Sequence, residues 1–106
     1  MRSDDLWMAD LRDHAREAVA MAKGRTRADL DKDRKLELSL TRLLEVVGEA
    51  AAQLSPAAKA EFDLPWKAII GMRNILVHAY HRVDKDEVWR MVTVRLPVLL
   101  KALDRP

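Results

Sequence analysis

Apolar residues recur along most of this chain at helical spacing and nowhere alternate as a strand requires. Leu6, Trp7, Leu11, Ala15, Ala18 or Val19, and Met21 or Ala22 mark a first helix, opened by Ser3 or Asp4 and closed near Gly24. Leu36, Leu40, Leu43, Leu44, Val47, Ala50, Ala51 and Leu54 trace a wide stripe that predicts a second helix. Gly48 sits inside that stripe, where glycine costs about 1 kcal/mol relative to alanine. A helical glycine of this kind points to another backbone packed against it.

Between these helices, residues 24 to 34 are polar apart from Leu30 and read as a solvated loop or a frayed helix start. Ser55 and Pro56 stop the second helix and open a short one through Ala57 to Phe62. Pro65 then begins a third helix that is expected to reach Ala79 or Tyr80. Asp84 with Glu87 makes a capping box, and Val83 with Val88 a hydrophobic staple, so a fourth helix starts near Lys85. Its stripe is Val88, Trp89, Val92, Leu96, Leu99, Leu100 and Leu103, with a kink expected where Pro97 cannot donate to the Thr93 carbonyl. The pattern predicts an all-α, up-and-down bundle of four main helices and one short one, in a single domain over residues 1–106.

Composition adds exclusions. Three Gly and four Pro among 106 residues agree with helix, and 49% apolar with 34% charged residues fits a folded core with a charged coat. The chain has no cysteine, which removes thiolate metal sites, disulfides and cysteine nucleophiles. Nineteen basic residues face 17 acidic ones, so net charge gives little reason to expect nucleic-acid binding. The acidic start and the absence of a long apolar run point to a soluble cytoplasmic protein.

Candidate chemistry gathers in residues 65–80, PWKAIIGMRNILVHAY, where Arg73, Asn74, His78 and Tyr80 interrupt a segment otherwise suited to a core. At 100° per residue Asn74 and His78 share a face, but Arg73 and His78 lie about 140° apart. Either the helix unwinds near His78, or a second copy supplies the complementary group. The plainer alternatives are a helix-end histidine bonded to a carbonyl and an Arg73 paired with Glu49. Trp7, Trp66 and Trp89 read as packing groups. His14, His78 and His81 lack metal-ligand spacing, and no phosphate-binding glycine loop or nucleophile elbow is present, so neither a metal nor another cofactor is expected.

The run from Arg73 to Tyr80 resembles the arginine, four residues, histidine, any residue, tyrosine signature of HepT-like toxins, a branch of the HEPN superfamily. Residues 44–51, LEVVGEAA, resemble the LExIGEA segment of that family; residues 65–72, PWKAIIGM, resemble its PWxxIxGMR approach, and residues 83–89 its opening of the last helix. The resemblance implies a homodimer with a composite cleft and RNA cleavage without metal. In that cleft His78 would move protons, Arg73 would meet the phosphate charge, and Asn74 would orient one or the other. It also implies an MNT-type nucleotidyltransferase antitoxin as partner, with Tyr80 as the position for AMP transfer, and no membrane. A different class remains open: a non-catalytic helical binding module, itself a substrate of that nucleotidyltransferase.

Overall fold

A computed structural model of the chain describes residues 2–74 and 83–104. Helix α1 spans Asp4–Ala22, with the Ser3 hydroxyl accepting from the Leu6 N–H and Asp4 and Asp5 in its first turn. Gly24 follows at φ +78°, a conformation that favours glycine. One turn of helix, α2, covers Asp29–Lys32, so the polar segment holds more structure than a loop. Helix α3 runs Arg34–Gln53, capped by the Asp33 carboxylate on the Leu36 N–H.

Short helix α4, Pro56–Ala60, is capped by Ser55 and ends before the expected Phe62. Helix α5, Trp66–Gly71, starts one residue after the expected Pro65, which serves as its cap position. It tightens into a 3₁₀ turn over Met72–Asn74. The remainder of the expected third helix, with His78 and Tyr80, lies outside the described residues. Helix α6, Lys85–Arg90, opens with the Asp84 carboxylate accepting from the Glu87 N–H, while Glu87 turns its own carboxylate to Arg90. A π-helical turn over Met91–Arg95 leads into α7, Leu96–Leu103. The described residues are helices and connections, with no strand among them.

Helix α3 is the element that α1, α2, α5, the 3₁₀ turn, α6 and the π turn all pack against. Its buried stripe from Leu36 to Ala51 meets Leu11, Ala15, Ala18 and Ala22 of α1, whose three alanines let the two helices approach closely. Ser55 donates its N–H and its hydroxyl to the Asp4 carboxylate at 2.9 and 2.6 Å, so α1 starts where α3 ends and the two run antiparallel. Val88, Val92, Leu96, Leu99 and Leu103 close the core from the last helix, as their spacing predicted. Leu6 is the exception on α1, 51% exposed at the end of the helix rather than inside the stripe. Trp66 donates its indole N–H to the Lys59 and Phe62 carbonyls, and Trp7 lies under the Arg2 guanidinium at 4.3 Å; both rings are packing groups, as their spacing suggested.

At Pro97, where a kink is expected, the helix departs from regular α geometry through a π turn. Because Pro97 offers no N–H, the helix shifts register one turn earlier: Leu96 donates five residues back to Met91, and the Thr93 hydroxyl bonds to the Trp89 carbonyl at 2.7 Å. This widened turn leaves Val94 and Val98 on the outside, 57% and 62% exposed.

Charges in residues 25–33 form a network that fastens α2 to α6. Arg25 bonds Asp29 and Asp33, Arg27 bonds Asp31 and Asp86, and Lys85 reaches Asp31 at 3.3 Å. The Thr26 N–H at 2.7 Å holds the Asp29 carboxyl below the usual carboxylate range, Lys85 and then Arg27 do the same for Asp31, and Arg25 and then the Leu36 N–H for Asp33. A carboxyl lowered in the folded state contributes stability above its unfolded pKa, and that contribution is lost as pH falls through the folded value. Arg25→Gln is therefore expected to lower the urea midpoint at about pH 7, with the deficit shrinking below about pH 4 as these aspartates protonate. A deficit that stays constant with pH would mean Arg25 acts by packing alone.

Candidate functional site

The sequence-predicted site divides at the edge of the described residues. Arg73 and Asn74 stand on the 3₁₀ turn that ends α5, while His78 and Tyr80 lie outside the described residues. A 3₁₀ turn advances about 120° per residue, so an ideal-helix angle measured from Arg73 no longer applies. The turn is anchored by Met72, which is 1% exposed, and by contact of its backbone with α3.

That contact is at Gly48. A Cβ placed on Gly48 would run into the Arg73 backbone nitrogen, nearer than real Cβ contacts come, and would stand 3.0 Å from both the Arg73 Cβ and the Ile70 carbonyl oxygen. The close approach expected from a glycine inside a helix is therefore made by the candidate arginine itself. With its backbone fixed, the Arg73 side chain leaves the bundle surface, 42% exposed, and its Nη1 lies 3.4 Å from Glu49 Oε2. The other Glu49 oxygen accepts from Gln53 Nε2 at 3.0 Å, one turn further along α3. Asn74 is half-buried beside it.

Arg73 is thus neither a core residue nor an unpaired cation, although its apolar flanks suggested burial. The pairing with Glu49 is the plainer alternative that the sequence offered. Among the described residues Glu49 is its one charged partner, and the partly exposed guanidinium presents a planar fork of N–H donors that suits an oxyanion such as a phosphate. Sequence reasoning missed Gln53, though its place four residues after Glu49 was a usable signal.

Other features near the turn differ in chemistry. A groove of about 220 Å³ between α5 and the last helix, bordered by Ala68, Met72, Val94 and Val98, is apolar except for Arg95. His14 is engaged with the Asp10 carbonyl of its own helix at 2.7 Å. Among the described residues no three of His, Cys, Asp and Glu stand together as metal ligands. None of the described helices is long and apolar enough to cross a membrane.

Comparison with known families places the site in context. The model of the family described as ribonuclease HepT-like matches residues 11–105, nearly the whole bundle. This chain belongs to the HepT-like ribonuclease family. It is 25% identical over 99 residues to a "Putative RNase" of Methanocaldococcus jannaschii, covering 92% of this chain and 91% of that protein. It is 33% identical over 84 residues to a "Putative RNase" of Caldanaerobacter subterraneus subsp. tengcongensis, covering 78% and 75% of the two chains. The "Probable ribonuclease HepT" of Thermococcus cleftensis is 32% identical over 68 residues, 63% of this chain and 62% of that one. No solved structure matches the chain significantly. The match to the HepT-like family takes in α3 with Gly48 and Glu49, the Arg73 turn and residues 75–82 in one continuous span.

The Gly48 contact makes a direct prediction. Gly48→Ala gains about 1 kcal/mol of helix propensity but must displace the Arg73 backbone, and the net effect is expected to be a loss of about 1–3 kcal/mol in urea unfolding. Gly71, whose added Cβ would meet nothing within 4 Å, is the control. Gly71→Ala is expected to leave stability unchanged or to raise it.

Proposed function

We propose that this member of the HepT-like family is a toxin that cleaves RNA without a metal, using Arg73, Asn74 and His78. The observation that carries the reading is Arg73 itself, packed at its backbone against Gly48 and partly exposed at the surface, with Glu49 its one charged partner among the described residues. RNA can be cut by its own 2′-hydroxyl: the 2′-oxygen forms a bond to phosphorus as the bond from phosphorus to the 5′-oxygen breaks. The proton leaves the 2′-hydroxyl and one is delivered to the departing 5′-oxygen. An imidazole with an ordinary pKa of about 6.5 is suited to both transfers, and this is the role given to His78. Arg73 offsets the charge that grows on the phosphoryl oxygens, where a planar fork fits better than an ammonium. Asn74 orients the phosphate or His78.

In the same proposal two copies of the chain form a homodimer, bringing both sets of Arg73 and His78 to one cleft. The exposed Val94 and Val98 beside the apolar groove support a covering partner. The protein acts in the cytoplasm and is held in check by an MNT-type nucleotidyltransferase antitoxin that transfers AMP to Tyr80. A phosphate-linked group beside Arg73 would occupy the guanidinium that the RNA phosphate needs. The second reading, a binding module without nuclease activity, draws support from the ion pair between Glu49 and Arg73.

Two measurements separate these readings. Purified protein in excess EDTA is expected to cleave total RNA, leaving cyclic phosphate and 5′-hydroxyl ends, while folded Arg73→Ala and His78→Ala variants lose at least about 100-fold in rate. A folded wild type that leaves RNA intact would favour the binding module. Intact mass of protein co-expressed with its antitoxin is expected to rise by one or more AMP units, and the rise should vanish in Tyr80→Phe. An unchanged mass would remove the modification from the proposal.

A further inference from the structure

The position of Arg73 depends on more than its own backbone. Its Nη1 meets Glu49 Oε2 at 3.4 Å, and Gln53 Nε2 donates to Glu49 Oε1 at 3.0 Å, so both oxygens of one carboxylate are engaged. Arg73 and Glu49 side chains are 42% and 52% exposed, and a pair so wet contributes little to folding stability. What it does contribute is direction. Glu49 follows Gly48 in the chain, and Gly48 touches the Arg73 backbone, so the main chains from which carboxylate and guanidinium extend are packed together. Gln53 then limits the rotation of the carboxylate. Among the described residues the contact uses one Nη and is not the two-bond fork of a closed arginine pair, so Glu49 does not engage the other donors.

We infer that Gln53 and Glu49 are positioning residues for Arg73, a relay in which Gln53 orients Glu49 and Glu49 orients the guanidinium toward the phosphate. The inference rests on the reading of Arg73 as the group that meets RNA. The same geometry admits an opposite role, in which Glu49 competes with the phosphate for Arg73, and the two make contrary predictions. A carboxylate that positions the guanidinium raises turnover even though its own charge repels RNA. A competitor only weakens binding.

The test compares wild type with folded Glu49→Gln, Gln53→Ala and the double variant, using a short RNA to obtain kcat and KM separately. Glu49→Gln is expected to lower kcat by about 10- to 100-fold, the scale of a misplaced catalytic group, with KM unchanged or lower. Gln53→Ala should give a smaller loss in kcat, and the double variant should be no worse than Glu49→Gln alone, because Gln53 acts through Glu49. A rise in kcat/KM in Glu49→Gln would show competition, and an unchanged kcat or additive losses would also overturn the relay.

A second readout does not need cleavage. The side-chain Nη resonances of Arg73, assigned with Arg73→Lys, should be separate in wild type, where guanidinium rotation is hindered, and averaged in Glu49→Gln. Resonances already averaged in wild type, or unchanged in the variant, overturn the relay whatever the activity. If wild type cleaves nothing but these resonances respond as expected, the ordering of Arg73 by Glu49 stands and it is the nuclease reading that fails.

Discussion

The contact of Gly48 with the backbone of Arg73 is the constraint on which the rest of the site depends. A side chain of any size at position 48 would hold the 3₁₀ turn away from α3, and Arg73 would lose the support that gives its side chain a fixed origin. The contact also brings Glu49 into reach of the guanidinium without further design, because the residue beside the touching glycine must lie near the touching turn. Core and site meet at this point. Met72 is buried on one side of the turn while its neighbour Arg73 faces water, so packing energy from the core holds a polar group in place.

Much of this was legible in the sequence because the signals were local. Capping residues Ser3, Ser55 and Asp84 stand where their side chains meet the backbone N–H groups of the next turn. The stripe of α3 is buried throughout, and Gly48 inside it announced a close backbone without naming which one. The Glu49 pairing could be foreseen as one of two roles for Arg73, since a charged group among Met72 and Ile75 needed a carboxylate or a function. Sequence alone did not decide between burial and exposure. That depends on how far the turn projects past α3, which is a property of the packed pair.

The parts that were not legible depend on partners distant in the chain or on competing solutions to one local problem. Residues 25–33 show alternating charge, and pairs such as Arg25 with Asp29 join residues near in the chain. Their bonds to Lys85 and Asp86 join positions more than fifty residues apart, and nothing in the spacing announces them. Pro97 required the helix to give way, but the sequence did not say that it would do so by a π turn. The observed turn keeps Val92 and Leu96 in the core by adding one residue to the loop of hydrogen bonds, at the cost of turning Val94 and Val98 outward.

Charge pairing constrains how such a protein can hold RNA. The excess of basic over acidic residues is only +2, and many arginines are already engaged: Arg2 with Asp10, Arg12 and Arg16 with Asp104, Arg34 with Glu37, Arg90 with Glu87, besides the network at α2. Affinity for a polyanion rises with the number of phosphates neutralised, so one such chain is poorly equipped to grip a long RNA by charge alone. Under the proposed function, recognition rests on a few well-placed groups, and the proposed pairing of two chains would double them at one point without adding charge elsewhere on the surface. A guanidinium that must act as one of so few contacts gains from being aimed before RNA arrives. On the proposal that Arg73 meets RNA, this gives a physical reason for a glycine, a carboxylate and an amide to be arranged around one exposed arginine.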